Sequence, residues 1–268
     1  KPLGFQKKLE KEGRSRFDFP ADELYQAILT FTKENKQFME QELRAMGASC
    51  DWSRQKFTLD DEIVKTVYDT FRQLFADGLI YRGKRIVNWC TKHQTSLSDL
   101  ETTSETRTDK LYYLRYGPLV VATVRPETMF GDVAIAVNPT DQRYQQYIGQ
   151  QISVQTPIGE MSLPVIADQA VEIAFGTGAL KITPAHDPND FDIALRHQLP
   201  SKEVIDQHGR LNQLTGKYAG LKVAEARPQV VADLQALGLL LKEEPYEHNV
   251  LVCYKCQRIL EPRIIPQW

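Results

Sequence analysis

Short apolar runs rich in β-branched residues follow one another through residues 106–244, each bounded by Gly, Pro, Asn or Asp. This repetition limits the fold more than any other feature, because such runs are typical of strands and the residues between them are typical of turns. Strands are predicted at 111–116, 119–124, 133–137, 151–154, 161–166, 171–174, 179–183 and 204–205, and helices near 189–198 and 223–237. Many short strands with few helices favour an α+β, mainly β fold, in which a closed or nearly closed β-barrel carries its helices outside.

The residues before the strands carry a helical pattern. Residues 1–18 are charged and have no sustained apolar face, so a loop is predicted there. From Pro20, apolar residues recur along one stripe up to Gly47, and a second amphipathic run covers 60–77 and stops at Gly78. Glycine just after the last turn is a common helix end, so these two runs predict a helical hairpin.

Length and charge set wide bounds on what the chain does. The 268 residues are enough for one or two domains with a sizeable core. The net charge of -2 does not indicate a nucleic-acid-binding protein, so any RNA contact must come from a local patch. No apolar run is long enough to cross a bilayer and no secretory signal opens the chain, which favours a soluble, cytoplasmic protein. A start at Lys1 rather than Met indicates a piece of a longer chain.

One basic cluster is a candidate for such a patch. It consists of Arg82, Lys84 and Arg85, beside a predicted strand. Lysine and arginine at an exposed strand edge can neutralise RNA phosphates. The alternative is a solvated edge strand that charge protects from pairing with other strands.

The cysteines are placed like metal ligands. Cys90 and His93 form a Cys-x-x-His pair, the first knuckle, and Cys253 and Cys256 form a Cys-x-x-Cys pair, the second knuckle. Together they would make a closed tetrahedral zinc site that is structural, because four protein ligands leave no position for a catalytic water. The alternative is a pair of degenerate knuckles with free thiols. Cys50, the remaining cysteine, is predicted to be a small core residue.

Polar residues gather where one predicted strand ends and a helix starts. Lys181 and Thr183 are two apart on the strand, so their side chains point the same way. Asp187 and Asp190 flank the helix N-terminus, where exposed N–H groups orient carboxylates. This arrangement predicts the mouth of a pocket. The alternative is that Asp187 or Asn189 only caps the helix and Lys181 is solvated.

A second stretch shows which family the chain resembles. Residues 120–139 contain Thr-Val-Arg-Pro-Glu-Thr followed by Gly-Asp-Val-Ala-Ile-Ala-Val-Asn-Pro, and residues 181–191 read Lys-Ile-Thr-Pro-Ala-His-Asp-Pro-Asn-Asp-Phe. The pair resembles the editing domain of the valyl-tRNA synthetases, which are class I aminoacyl-tRNA synthetases. Two long matches in the right order are far more specific than one short motif.

The resemblance implies a fold, a reaction and partners. The fold is a helix-decorated β-barrel editing domain (106–245), preceded by a helical base with the first knuckle (1–105) and followed by the second knuckle and the return to the synthetase core (246–268). The reaction is the hydrolysis of threonyl-tRNA(Val), because a valine pocket in this family excludes threonine only about a hundredfold. The partners are the aminoacylated 3′ end of tRNA(Val) and the rest of the synthetase chain, with a monomeric protein and no membrane.

The resemblance also implies roles for the residues of the pocket. Asp190 holds the α-ammonium group of the aminoacyl ester, because a carboxylate is its natural partner. Lys181, Thr183 and Asp187 recognise the threonine hydroxyl, because valine would leave these buried polar groups unpaired. These four residues form the predicted catalytic set.

Two further residues complete the predicted site. Arg125 and Thr128 position the terminal adenosine and exclude larger side chains. No serine or cysteine is placed as a nucleophile, and His186 is either a base or a packed histidine. The predicted mechanism is therefore direct attack by a positioned water molecule.

Three other functions compete with proofreading. A module that binds the tRNA acceptor end without autonomous hydrolysis would bind mischarged tRNA without turnover. A metallohydrolase using the Cys/His cluster would be inactivated by a chelator while still folded, but a closed four-ligand site argues against it. A purely structural linker leaves the polar stretch at 181–190 unexplained. The two ATP-binding signatures of class I synthetases do not occur in the sequence, so no amino-acid activation is predicted.

Overall fold

The computed structural model describes residues 3–268 and contains about a third helix and about a third strand. The chain divides into two compact units, one ending at Leu79 and the other running from Ile80 to Trp268. Within the described residues, no helix is long and apolar enough to cross a membrane. The helices are α1 (Leu3–Lys11), α2 (Ala21–Ala45), α3 (Asp61–Ala76), α4 (Pro188–Arg196) and α5 (Val223–Ala236). The strands are β1 (Gly83–Cys90), β2 (Thr95–Leu97), β3 (Thr102–Tyr116), β4 (Leu119–Thr123), β5 (Ala134–Val137), β6 (Gln151–Thr156), β7 (Gly159–Ala167), β8 (Ala179–Ile182), β9 (Leu240–Cys253) and β10 (Glu261–Gln267).

The first unit is helical from Leu3 onward. The predicted helices at 20–47 and 60–77 are confirmed as α2 and α3, but the loop predicted for residues 1–18 is wrong, since α1 occupies much of it. The reason is an apolar pair at helical spacing, because Phe5 and Leu9 lie on one face of α1 and are both buried. Phe5 meets Phe31 of α2 edge-on, with ring centroids 5.6 Å apart.

The second unit contains three sheets instead of the predicted closed barrel. Their strand orders are β10-β1-β2, β4-β3-β9 and β6-β7-β5-β8, and no sheet among the described residues closes on itself. Neighbouring strands are antiparallel except β5 and β7, which are parallel. Two predicted strands do not form, because 171–174 is a bend and 204–205 makes only a single bridge from Ile205 to Leu211. The expectation of a mainly β chain is also wrong, since helix and strand contribute about equally.

A long two-stranded ribbon joins the two ends of the second unit. Strands β3 and β9 pair antiparallel from Thr102 opposite Cys253 to Leu114 opposite Leu240, with an irregularity after Tyr113. Only 111–116 is predicted as strand, because the rest of β3 is polar and lacks apolar alternation. The ribbon therefore runs from Cys253 of the second knuckle to the pairing of β3 with β4.

Helix α5 buries Ala226, Val230 and Leu234, which lie four residues apart on one face.

Close packing brings the stretches 120–139 and 181–191 together. Gly131 lies at a point of close approach, where an added Cβ would be 2.9 Å from the Lys202 carbonyl oxygen and 3.2 Å from the Thr183 methyl carbon. Any larger residue at position 131 would push the segment 126–131 away from the end of β8.

Candidate active site and metal-ligand cluster

A small cavity of about 170 Å³ forms where β4, the turn 126–131, the end of β8 and the start of α4 meet. Its walls come from the two stretches that sequence reasoning singled out, which lie some fifty residues apart in the chain. The lining residues include every predicted substrate-binding position: Arg125, Thr128, Lys181, Thr183, Asp187 and Asp190.

The ammonium group of Lys181 is held inside this cavity wall. Its Nζ lies 2.9 Å from Thr128 Oγ1, 2.6 Å from Thr183 Oγ1 and 3.1 Å from Asp132 Oδ1. Lys181 is 5% exposed, so the alternative of a solvated strand residue is wrong. The Thr183 contact also confirms that Lys181 and Thr183 point the same way from the end of β8. We call Thr128, Asp132, Lys181 and Thr183 the polar wall.

Sequence reasoning missed Asp132. Its carboxylate is fully buried and accepts hydrogen bonds from Lys181, from Thr183 Oγ1 at 2.5 Å and from the Tyr116 hydroxyl at 2.7 Å. Burial raises the pKa of Asp132 above its ordinary value, although these three donors oppose that shift. The sequence signals are its place in the Gly-Asp-Val-Ala motif and its position next to the apolar strand β5, where an acidic residue needs a partner to be buried.

Asp187 and Asp190 stand at the start of α4. Asp187 Oδ1 accepts from the backbone N–H groups of Asn189 at 2.8 Å and Asp190 at 3.1 Å, so Asp187 is an N-cap as well as a cavity residue. Asp190 Oδ2 accepts from the Thr183 backbone N–H at 2.8 Å. Burial, together with the nearby Asp187 carboxylate, raises the pKa of Asp190 to about 7. Asp190 is therefore a buried acid whose charge any bound cation would stabilise.

Arg125 reaches the cavity from a buried ionic network. Its Nη2 donates to Glu261 at 2.6 Å and its Nε to Glu127 at 3.2 Å, while Glu127 also binds Arg227 through two contacts of 2.9 Å. Burial alone would raise the pKa of Glu127, but the guanidinium groups of Arg125 and Arg227 hold it below its ordinary value. Glu127, Glu261 and Arg227 were not predicted, because nothing local in the sequence joins positions so far apart.

His186 is a packed histidine in this structure. Its Nε2 accepts from the backbone N–H groups of Val204 at 2.9 Å and Ile205 at 3.3 Å, so that nitrogen carries no proton and has no free lone pair. Burial and the positive charges of Arg125 and Lys181 lower the pKa of His186 to about 3. The ring stays neutral with its Nε2 engaged, while Nδ1 is buried without a hydrogen-bond partner among the described residues, which agrees with the packed alternative and not with a base.

A large cavity of about 620 Å³ adjoins the small one. Ala122, Leu180 and Asn189 line both, and the large cavity also carries the aromatic rings of Phe175 and Tyr246. The two rings are 5.8 Å apart, edge to face. Its volume lies in the range of cavities that hold a nucleoside-sized ligand, whereas the small cavity fits a much smaller group.

The four predicted metal ligands come together where β1 and β9 end. One ligand atom from each of Cys90, His93, Cys253 and Cys256 lies within 4.8 Å of all the others. The Cys90 and Cys256 sulfurs are 3.6 Å apart, and His93 Nδ1 lies 3.3 Å from the Cys90 sulfur and 3.5 Å from the Cys253 sulfur. Tetrahedral zinc with Zn–S bonds of about 2.3 Å separates its sulfurs by about 3.8 Å, so this donor set fits zinc.

Each of the two knuckles contains the same kind of backbone turn. Gln94 and Gln257, each four residues after the first cysteine of its knuckle, adopt positive φ angles of 45° and 56°. Burial raises the pKa of the Cys90 thiol to about 11. A cation would be needed to favour its thiolate form. By contrast Cys50 is exposed, so its predicted core position is wrong.

The basic cluster lies at the start of β1. Strand β10 pairs with β1 from Gly83 to Trp89, whereas β2 covers the other side only at residues 88–90. Lys84 and Arg85 are therefore on a partly open, solvated edge, with Arg85 Nη2 2.8 Å from the Tyr81 hydroxyl. Both alternatives for this cluster remain compatible with this position.

Comparison with known proteins shows the family of the chain. The family model of the tRNA synthetases class I (I, L, M and V) matches residues 3–268, so the chain belongs to that family. Within the family it is similar to valine--tRNA ligases. The enzyme of Carboxydothermus hydrogenoformans is 45% identical over 269 residues, which is 98% of this chain and 30% of the relative. That of Pseudothermotoga lettingae is 46% identical over 97% of this chain and 31% of the relative, and that of Chlorobaculum tepidum is 46% identical over 98% and 30%. The chain thus spans about 30% of the length of these curated relatives.

Proposed function

We propose that the small cavity hydrolyses the threonyl ester of mischarged tRNA(Val), as the proofreading site of a valine-specific synthetase. The observation that carries this proposal is the convergence of six polar side chains, from two separated stretches, on one cavity of about 170 Å³. Such a volume suits an aminoacyl group and excludes bulkier ones. The similarity to valine--tRNA ligases supports valine as the cognate amino acid.

Asp190 binds the α-ammonium group in this proposal. It is 5% exposed and faces the cavity at the start of α4. With a pKa of about 7 it is partly protonated near neutral pH, and an ammonium group close to it favours the ionised form. Substrate binding would thus create a buried, charge-assisted hydrogen bond.

The threonine hydroxyl is recognised by Lys181, Thr183 and Asp187. Lys181 and Thr183 belong to the buried polar wall, and Asp187 lines the cavity beside it. A threonine hydroxyl can form hydrogen bonds with these side chains. The corresponding methyl group of valine would displace water from them without forming a hydrogen bond. Leaving buried polar groups unpaired costs about 1–3 kcal/mol each, so valyl esters are spared.

The terminal nucleoside of the tRNA occupies the large cavity in this proposal. That cavity adjoins the small one and offers the rings of Phe175 and Tyr246 to a base. Arg125 and Thr128 line the small cavity, and Arg125 is fixed there by its carboxylate partners. They position the adenosine and keep larger side chains out.

Hydrolysis proceeds by direct attack of water. The lining of the small cavity, within residues 3–268, includes no serine or cysteine, and His186 has its Nε2 engaged by two backbone donors. Catalysis then rests on holding the ester and a water molecule in reacting geometry, with the ribose hydroxyl of the tRNA as a further contact. Positioning of this kind can supply about 7–11 kcal/mol.

The Cys/His cluster holds a structural zinc in this proposal. Cys90, His93, Cys253 and Cys256 would use all four tetrahedral positions, so the metal would tie the knuckles together and take no part in hydrolysis. A cysteine is more usual in this family where the chain has His93, and imidazole is an equally competent ligand.

The wider setting follows from the length of the relatives. No residue of α2 or α3 is buried, although both helices carry apolar side chains. We propose that the rest of a synthetase chain covers them and that the tRNA acceptor end reaches the cavities from that assembly. The domain boundaries at 105 and 245, the monomeric state and the cytoplasmic location stay predictions.

The test is hydrolysis of threonyl-tRNA(Val) by the wild-type chain and by Asp190→Ala. We expect about a hundredfold loss of kcat/KM in the variant, because the ammonium group loses its charged partner. Asp141→Ala is the matched control, since Asp141 is also 5% exposed but lies outside the small cavity. Unchanged hydrolysis in Asp190→Ala removes Asp190 from its role. Wild-type binding of mischarged tRNA without turnover supports the alternative of an acceptor-end binding module.

A further inference from the structure

One carboxylate inside the polar wall has no role in the proposed reaction. Asp132 is 0% exposed and lies behind the cavity lining, on the side away from the substrate space. Its Oδ1 is bonded to both Lys181 Nζ and Thr183 Oγ1, while its Oδ2 is bonded to the Tyr116 hydroxyl. Asp132 therefore touches two of the residues that would read the substrate.

Counting donors shows what this contact does. A lysine ammonium has three N–H groups, and those of Lys181 meet Thr128, Asp132 and Thr183. The hydroxyl of Thr183 donates to Asp132, and the hydroxyl of Thr128 donates to the Arg125 carbonyl at 2.9 Å. Every side-chain donor of the polar wall is thus used, that of Thr128 on the Arg125 carbonyl and the others within the wall, and what remains toward the cavity are lone pairs of the two threonine oxygens.

We propose that Asp132 is a positioning residue that determines specificity, by turning the polar wall into a surface that accepts hydrogen bonds. A threonine hydroxyl is then recognised as a donor to Thr128 or Thr183, and Lys181 acts through these two hydroxyls by fixing their orientation. The inference rests on the proposed hydrolytic function and deepens it, because it states that the site recognises the substrate hydroxyl as a hydrogen-bond donor.

Removing the carboxylate should reverse this polarity. In Asp132→Ala, one N–H of Lys181 and the O–H of Thr183 lose their acceptor and become free to point into the cavity. Once these donors can rotate, they no longer hold the oxygens of Thr128 and Thr183 as fixed acceptors, so the hydrogen bond that favours a donating hydroxyl is weakened. The discrimination between threonyl and valyl esters should therefore fall, beyond any general loss of activity.

The experiment compares kcat/KM for threonyl-tRNA(Val) and valyl-tRNA(Val) in wild type, Asp132→Ala and Asp132→Asn. We expect the threonyl-to-valyl ratio to fall at least tenfold in Asp132→Ala and by less in Asp132→Asn, because the amide oxygen still accepts. Asp141→Ala, another buried carboxylate, should leave the ratio unchanged. If both rates fall together in Asp132→Ala and the ratio stays at the wild-type value, Asp132 is only structural and the inference is overturned.

A second variant covers the case that Asp132→Ala does not fold. Tyr116→Phe keeps the shape of the core and removes only the hydroxyl that anchors Asp132 Oδ2. We expect a fall of about threefold in the ratio, and an unchanged ratio would overturn the inference. A wild-type chain that hydrolyses neither ester would instead contradict the proposed function itself, so the two failures are distinguishable.

Discussion

Asp190 differs from the other buried carboxylates of the second unit in how few partners it has. Asp132 and Glu127 each bind a cationic side chain, whereas the hydrogen bond of Asp190 comes from the Thr183 backbone and the largest charge effect on it is the repulsion from Asp187. A carboxyl group in such a place favours the protonated form. The site therefore contains a carboxyl group whose ionisation is unfavourable until a cation binds next to it.

This cost makes the stability of the protein depend on pH. The pKa of Asp190 is about 7 in the folded protein against an ordinary value of 3.8, so the folded state binds the proton more tightly than the unfolded state does. The resulting stabilisation is complete below about pH 4 and is lost as pH rises to about 7. We expect the free energy of unfolding of wild type, measured relative to Asp190→Asn, to fall by up to about 1.4 kcal/mol per pH unit across this window.

Urea denaturation at several pH values between 4 and 8 measures this difference. Asn cannot titrate and still offers an oxygen to the Thr183 N–H, so it isolates the charge. Parallel curves for the two proteins across the window would mean that Asp190 is solvated and has an ordinary pKa.

The ionic network behind Arg125 gives a second prediction. Glu127 is fully buried between Arg125 and Arg227. Glu127→Gln removes the negative charge that pairs with both guanidinium groups. Breaking a buried ion pair costs about 3 kcal/mol. We expect a loss of about that size in the free energy of unfolding, measured in urea.

The matched control is Glu243→Gln, which breaks the exposed contact with Lys110. An exposed pair contributes little, so no measurable change is expected there. Equal effects of the two substitutions would show that the Glu127 network does not stabilise the fold.

Local sequence predicted the residues that face the cavity better than those behind it. Lys181, Thr183 and Asp190 lie in one short span, where strand alternation and helix capping already bring the side chains together. Asp132 and Glu127 find their partners 49 and 100 residues away, at Lys181 and Arg227 respectively. No periodicity or capping rule encodes contacts of that kind, because they depend on how whole strands and helices pack.

The knuckles are where metal removal should act. We expect the purified chain to bind one zinc ion, and we expect Cys256→Ser or a strong chelator to lower the Tm by about 10 °C. A structural zinc contributes several kcal/mol, and each kcal/mol corresponds to about 2–4 °C in a chain of this size. Metal analysis and thermal melting of the same samples test both parts.

Cys50→Ser is the control for this prediction, because Cys50 is exposed and lies away from the cluster. It should leave metal content and Tm unchanged. A chain without bound zinc, whose Tm does not respond to Cys256→Ser, would favour the alternative of degenerate knuckles with free thiols.

Helices were predicted more completely than sheets. The limits of α2, α3 and α5 follow from apolar periodicity and glycine stops, and they agree with the structure within a few residues. The barrel was not observed, because strand patterns give the number of strands but not their partners, and the pairing of β3 with β9 uses much of the available edge. The missed helix α1 shows the limit of the charge argument, since two apolar residues were enough to bury one face.

The division of the chain into two units predicts how it will be digested. Within residues 3–268, the three clusters of buried apolar residues lie between Cys90 and Leu260, whereas α2 and α3 have no buried residue. Leu79 and Tyr81, at the junction, are 70% and 63% exposed. Exposed connections next to weakly packed helices are the preferred sites of proteolysis.

Limited digestion with chymotrypsin should therefore leave a resistant fragment that begins at residue 80 or 82 and ends at Trp268. N-terminal sequencing and mass spectrometry of the product identify it. Leu79→Ser combined with Tyr81→Ser should delay its appearance. Early cleavage within the β3–β9 ribbon would contradict the expectation that this unit is the stable one.

The pairing of Thr102 with Cys253 has an evolutionary consequence. Because these two residues are opposite each other in an antiparallel ladder, their Cα atoms lie only about 5 Å apart, although the 150 residues between them contain both cavities. A host protein could accommodate residues 102–253 as an insertion at a single β-hairpin. The whole segment therefore has the geometry of an insertion with a single point of entry, which the Arg125–Glu261 ion pair and the cluster of Cys253 with Cys90 and Cys256 tie to the residues around it.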